Sequence, residues 1–310
     1  MNNHRARHLA KQIFSCIPSA ICVIAIPVSA AVVSGDLVIE NQAIKIGDSR
    51  VNTIVYRNVK VPSGPTFVSL HNNEQTLNPI VISNVIDRGG SFVALTPPLD
   101  AKGNLCRYVR FSIGDSSYYF DPNRIWDDTR IRVGTSANCI TNELGDAPSD
   151  PGRLAKVEAA VSGFRSDLIQ ILGISEKRPR QYLVSVHNNR FLAFDSEKLI
   201  PNKCARRHAS ERQATSRASV ADFFLVTDSK TFDFYAGQDF NVVQQLPSTT
   251  STEECLDGSL SVFAQSRRIP FTTVEVNYLN DGSLDRNALK AQTKSASMLK
   301  AVYEAYKTLF

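Results

Sequence analysis

Two runs of buried-strand type, Thr66-Phe-Val-Ser-Leu70 and Gln181-Tyr-Leu-Val-Ser-Val186, each deliver a histidine at their C-terminal end, His71 and His187. Between them lie helical patterns. Asn78 and Pro79 read as N-cap and first turn of a helix that buries Ile82, Val85 and Ile86 and stops at Gly89-Gly90. Ser91-Phe-Val-Ala-Leu95 is the next strand. Asp150 and Pro151 then open a longer helix whose apolar residues Leu154, Val157, Val161, Phe164, Leu168 and Leu172 fall at helical spacing. Strand, helix, strand is the unit of a sheet covered by helices, so the expected class is α/β with a mixed central β-sheet flanked by helices. Such sheets place ligands beyond the carboxyl ends of their strands, where both histidines sit.

Around this unit the chain reads as further short elements. Residues 32–62 hold extended pieces (Asp36–Glu40, Asn52–Tyr56) ending at Pro62-Ser-Gly-Pro65, a β-rich N-terminal lead-in over 31–65 before the main domain, 66–310. Tyr108–Ser112 and Tyr118–Phe120 form a hairpin turning at Gly114-Asp115-Ser116. Strands are expected at Phe223–Val226, Val242–Gln244, Leu260–Phe263 and Thr272–Val276, and an amphipathic helix from about Leu284 to Leu309.

Residues 1–30 stand apart. Arg5, Arg7 and Lys11 precede a largely apolar stretch, Ile13–Ile26, and Val28-Ser29-Ala30 supplies the small residues of a signal-peptidase site. The segment reads as a removable secretory signal, which makes the protein secreted or periplasmic; no later segment is apolar enough to span a bilayer. The signal carries three Lys/Arg and no Asp/Glu, so the formal charge falls from +5 to +2. That is too small and too evenly spread for a nucleic-acid partner. The densest basic run (Lys203, Arg206, Arg207, His208, Arg212, Arg217) lacks interleaved aromatics and reads as a solvated loop. Cys16 and Cys22 leave with the signal. The four cysteines that remain are expected to be oxidised, with Cys106–Cys139 and Cys204–Cys255 favoured among three possible pairings. Only His71, His187 and His208 survive of five histidines.

The chemistry-bearing residues form an ordered series. In His71-Asn-Asn-Glu74 an imidazole and a carboxylate lie three residues apart where a strand turns into a helix, close enough to point into one site. Zinc in hydrolases commonly takes two His and one Glu and leaves a fourth position open, and His187 is the available second histidine. His208 sits among basic side chains that would repel a dication. Asp121-Pro-Asn123-Arg124-Ile-Trp126 sets an amide beside a guanidinium, the group suited to gripping a carboxylate through parallel hydrogen bonds. Glu275 stands in a run of β-formers, where a carboxylate is costly to bury unless paired or functional. Taken singly, each has an ordinary reading: a polar strand end, a helix N-terminal charge, a surface ion pair, an outward position on an edge strand.

Taken together and in order, His71/Glu74, Asp121/Asn123/Arg124/Trp126, His187 and Glu275 resemble the motifs of the zinc metallocarboxypeptidase superfamily, including the succinylglutamate desuccinylase/aspartoacylase enzymes. The resemblance covers residues 66 to 276. It implies one Zn²⁺ per chain on His71, Glu74 and His187, Glu275 as general base, and Asn123 with Arg124 holding a substrate carboxylate. It departs from the desuccinylases, which usually have Gly where Asn72 and Asn73 stand. The arginine that polarises the scissile carbonyl is Arg107 or Arg110, and Tyr278 is the nearest counterpart to the substrate-capping tyrosine. The implied activity is hydrolysis of an amide or peptide bond next to a free carboxylate, with peptides or peptidoglycan stem peptides as substrate. An N-acyl amino acid deacylase and a non-catalytic secreted binding module of the same fold are the alternatives.

Overall fold

The computed structural model describes residues 31–100, 103–139, 141–174, 181–189, 204–209, 222–247, 255–277 and 287–310. The expected signal at 1–30, Tyr278 and, of the basic run, Lys203, Arg212 and Arg217 therefore lie outside the described residues.

The first strands form a meander: β1 (Ala31–Ser34), β2 (Leu37–Ile46), β3 (Ser49–Asn58). The strand–helix–strand unit follows as β4 (Thr66–Ser69), α1 (Asn78–Arg88) and β5 (Ser91–Thr96). A small sheet comes next, made of β6 (Val109–Ile113), β7 (Ser116–Phe120) and β8 (Val133–Gly134), beside the short pair β9 (Ala137–Asn138) and β10 (Glu143–Leu144). Then come α2 (Pro151–Ile171), β11 (Leu183–Asn189), β12 (Ala205–Ala209), β13 (Phe223–Val226), α3 (Ser229–Ala236) and β14 (Val242–Gln245). The chain closes with α4 (Leu260–Ser266), β15 (Phe271–Asn277) and α5 (Asn287–Leu309).

Among the described residues the large sheet has ten strands in the order β1-β2-β3-β5-β4-β11-β15-β13-β14-β12. Its centre, β5-β4-β11-β15, is parallel, and the meander, β13 against β15, and β12 against β14 are antiparallel. The fold is thus α/β with a mixed sheet flanked by helices. The meander is continuous with the rest, because β3 pairs with β5 over Asn52–Arg57.

Alternation along the central strands divides the core in two. Phe67, Phe92, Val184 and Val274 face one layer, where they meet Val81 and Val85 of α1, Tyr235 of α3, and Met298 and Val302 of α5. Val68, Val93, Leu183 and Phe271 face the other, with Val157, Val161, Phe164 and Leu168 of α2, Phe111 and Phe120 of the small sheet, and Leu260 of α4. Asp150 caps α2 by accepting from the Arg153 amide at 2.7 Å. Gly89 and Gly90 end α1 with φ of 98° and 85°, and a side chain on Gly90 would strike the Pro65 carbonyl.

Three expectations are corrected. Leu260–Phe263 is helical, not a strand: Leu260, Val262 and Ala264 are all buried because the segment lies against β15, so a short apolar run carried no clear period. His208 lies in β12, paired with Val243 at the sheet's edge, and not in a loop. Leu77, not Asn78, is the N-cap of α1, because a 3₁₀ turn over Asn72–Leu77 runs directly into the helix.

Both disulfides are the expected ones, Cys106–Cys139 and Cys204–Cys255. They span 33 and 51 residues, for which the loop-entropy model gives about 4 kcal/mol each. Thiol titration of the unfolded, unreduced protein should find no free thiol among these four. Replacing either pair by alanines should lower denaturant stability by a few kcal/mol, of order that estimate.

Candidate metal centre

Parallel strands bring their carboxyl ends to one edge of a sheet. β4, β11 and β15 are adjacent and parallel, and their register sets His187 directly opposite Glu275. Paired residues share a face, so the two side chains project together. His71 follows β4 by two residues, and the 3₁₀ turn behind it carries Glu74. Glu74 has φ −118° and ψ 28°, a departure from helical geometry inside that turn, and its carboxylate folds back onto His71.

Both imidazoles aim Nδ1 at the same carboxylate oxygen. Glu74 Oε2 lies 3.1 Å from His71 Nδ1 and 2.6 Å from His187 Nδ1. The outer nitrogens are held separately: Asp121 Oδ1 lies 2.8 Å from His71 Nε2, and Ser185 Oγ lies 2.5 Å from His187 Nε2. Arg107 closes the group, giving Nε to Asp121 Oδ2 at 2.8 Å and a terminal nitrogen to Glu74 Oε1 at 3.1 Å. His71, Glu74, Asp121 and His187 are all buried.

Electrostatics follow from this packing. Burial disfavours charge on Glu74, but His71 and His187 outweigh it and hold its carboxyl well below the usual range. Asp121 is likewise held down against burial by Arg107 and His71. Burial would lower His187, yet Glu74 and then Glu275 raise it. Glu275 goes the other way: burial first, with the neighbouring Glu74 charge adding, pushes it up to about 7. Its Oε2 is buried without a hydrogen-bond partner. β15 is an interior strand between β11 and β13, which rules out the edge-strand reading of Glu275.

His71, Glu74 and His187 each offer a ligand atom, all within 4.8 Å of one another. The donor set fits a metal. Two imidazoles and one carboxylate are a usual open zinc set, and His71 Nδ1 is a buried nitrogen with no hydrogen-bond partner on the side that faces the group. Asp121 and Ser185 fix the opposite nitrogens, as outer partners of metal-bound histidines do.

Asn123 and Arg124 line a cavity of about 160 Å³ together with His187 and Glu275. Asn123 already accepts from the Leu260 amide at 3.2 Å, and Arg124 pairs with Asp257. Of the two arginines left open by the sequence, Arg107 reaches the site. Arg110 is exposed and donates to Ser117 Oγ at 3.0 Å. Sequence reasoning missed three roles: Asp121 as the partner of His71, Ser185 as the partner of His187, and Asp257 on Arg124. Asp121 was marked by its motif without a role, Ser185 lies two residues before His187 and so shares its face, and Asp257 left no signal.

The structure is similar to that of the succinylglutamate desuccinylase from Chromobacterium violaceum, with TM-score 0.42 and 13% identity over 89% of this chain and 72% of that one. A metallo-carboxypeptidase from Burkholderia cenocepacia gives 0.42 and 11%, over 87% of this chain and 65% of that one. The LapA aminopeptidase of Legionella pneumophila gives 0.35 and 9%, over 89% and 60%. No protein-family model and no curated protein matches the sequence.

His71→Ala and His187→Ala should each abolish stoichiometric zinc binding measured by metal analysis, and His208→Ala should leave it intact. Asp121→Asn should weaken zinc binding about 10–100-fold, the usual worth of an outer partner of a ligating histidine. Full occupancy in either of the first two variants would remove the assignment.

Proposed function

We propose that this protein is an exported, zinc-dependent hydrolase that cleaves an amide or peptide bond next to a free carboxylate. The observation that carries the reading is the convergence of His71, Glu74 and His187 with the partnerless, elevated Glu275 carboxylate in register beside them. A structural ion-pair cluster has no use for that fourth group.

Zinc on the three ligands would supply Lewis-acid chemistry, acidifying water and polarising a carbonyl oxygen. The chain's own residues do the rest. Glu275 takes a proton from the attacking water and returns it to the leaving nitrogen, a task suited to a carboxyl raised towards neutrality. Arg107, which keeps Glu74 and Asp121 ionised and in place, sets a fixed positive charge beside the developing oxyanion. Arg124 and Asn123 hold the substrate carboxylate in the cavity that His187 and Glu275 also line. Ser185 and Asp121 keep both histidines in the orientation that turns Nδ1 inward.

Export is supported by the signal-like residues 1–30 and by two disulfides, which persist in oxidising compartments. Among the described residues no helix is long and apolar enough to cross a membrane. Short peptides, including the stem peptides of a bacterial wall, are the substrate class we assign.

Glu275→Gln keeps the shape of the side chain and removes the base. Turnover should fall about 10²–10⁴-fold while zinc content is unchanged. Near-normal turnover in this variant would overturn the mechanism. The rate in the wild type should rise with pH as Glu275 loses its proton. The midpoint of that limb should lie at or below about 7, because a bound cation further favours the carboxylate, and Glu275→Gln should abolish the limb. Arg107→Ala should lower kcat about 10²–10³-fold, whereas Arg110→Ala should leave it unchanged.

A further inference from the structure

The guanidinium proposed to grip the substrate carboxylate already has a carboxylate on it. Arg124 forms an ion pair with Asp257, and both side chains line the cavity shared with His187 and Glu275. The pair is fixed from both sides. Asp257 Oδ1 accepts from the Ser259 amide at 3.0 Å, the Gly258 carbonyl accepts from the Trp126 amide at 3.0 Å, and the Leu260 amide donates to Asn123 at 3.2 Å. Gly258, at φ 71°, makes the turn that sets Asp257 against Arg124. Cys255, two residues earlier, is tied to Cys204.

The pair is also reachable, with Asp257 43% and Arg124 30% exposed. On its outer side lie Arg130, which pairs with Asp127 at 3.6 Å, and Arg132, and among the described residues Asp257 is the one acidic group in that lining. The inner lining around it is otherwise mostly neutral, with hydroxyls from Ser185, Ser259, Ser261 and Thr273.

A lone carboxylate entering this cavity meets a guanidinium that is already neutralised, and must compete with Asp257 for it. A ligand carrying an ammonium beside its carboxylate does not compete. Its anion takes the remaining guanidinium edge, its cation takes Asp257, and the four charges alternate. Because Arg124 and Asp257 touch, the two ligand charges must also be neighbours, which a free α-amino acid head satisfies with both groups on one carbon.

We propose that Asp257 makes the cavity select a free α-amino acid head group, carboxylate and ammonium together, rather than a simple carboxylate. This rests on Arg124 as the carboxylate anchor. Within that reading it moves the scissile bond from the α-nitrogen to the side chain, as in a side-chain-acylated amino acid or a peptide joined through a side-chain amine.

The test measures binding and not turnover, so that it fails separately from the hydrolase reading. Zinc-loaded protein is titrated calorimetrically with each enantiomer of alanine and with propionate, which share a carbon skeleton and differ in the ammonium. The wild type should bind one enantiomer of alanine at least tenfold more tightly than propionate. Asp257→Asn should lose that preference and bind propionate as well as or better than the wild type, while Glu275→Gln should keep the preference. Equal or tighter binding of propionate by the wild type, no binding of either compound, or an alanine preference that survives Asp257→Asn would each overturn the assignment. The wild-type comparison stands even if Asp257→Asn does not fold. The hydrolase reading is judged separately, by zinc content and by loss of turnover in Glu275→Gln.

Discussion

A single buried carboxylate, that of Glu74, joins three parts of the chain. It lies 3.1 Å from His71 Nδ1 after β4, is hydrogen-bonded to His187 on β11 and accepts from Arg107 ahead of β6. None of these segments is close to all the others in sequence, so the carboxylate works as a clasp between the sheet and the loop that leads into the small sheet. Removing one member of a buried charged group leaves the others uncompensated, typically at a cost of about 3–5 kcal/mol. Arg107 also holds Asp121, and Asp121 holds His71, so the ring closes on itself. The same arrangement that keeps these groups ionised in a buried site turns the inner imidazole nitrogens towards one point. Stability and the geometry of the donor set are therefore the same interactions.

The sheet explains why Glu275 belongs to this group while remaining outside the clasp. Its register opposite His187 comes from parallel pairing along the whole of β11 and β15, not from any contact of its own side chain. A residue placed by backbone pairing can be left without a polar partner and still stay in position. That is the condition for a proton acceptor, and burial raises its pKa for the same reason that it lacks a partner. Asp257 is a contrasting case: loop geometry alone sets it on Arg124, and its carboxylate changes what charge pattern the cavity offers.

Several features were legible in the residue order. His71 and His187 end apolar runs, and a strand end in an α/β sheet is where such side chains meet ligands. The α2 helix was readable from its cap and spacing, because Asp150, Pro151 and the apolar stripe all agree. The cysteine pairing was favoured among three options, and the structure has that one. Where local signals were short they failed. Leu260–Ser266 is buried on most sides, so its apolar residues follow no helical period, and packing against β15 decides its state. Arg107 and Arg110 sit three residues apart with equal claims, and the choice depends on which side of the chain faces the sheet edge.

What the sequence by itself determined is therefore the class of fold and that His71 and His187 end strands, because periodicity, caps and residue types act locally. The tertiary structure alone decided which arginine enters the site, that Asp121 holds the outer nitrogen of His71, and that Asp257 occupies Arg124. Those are pairings between segments separated by as many as 133 residues. Their energies depend on distance and burial, and neither quantity exists until the strands are placed side by side.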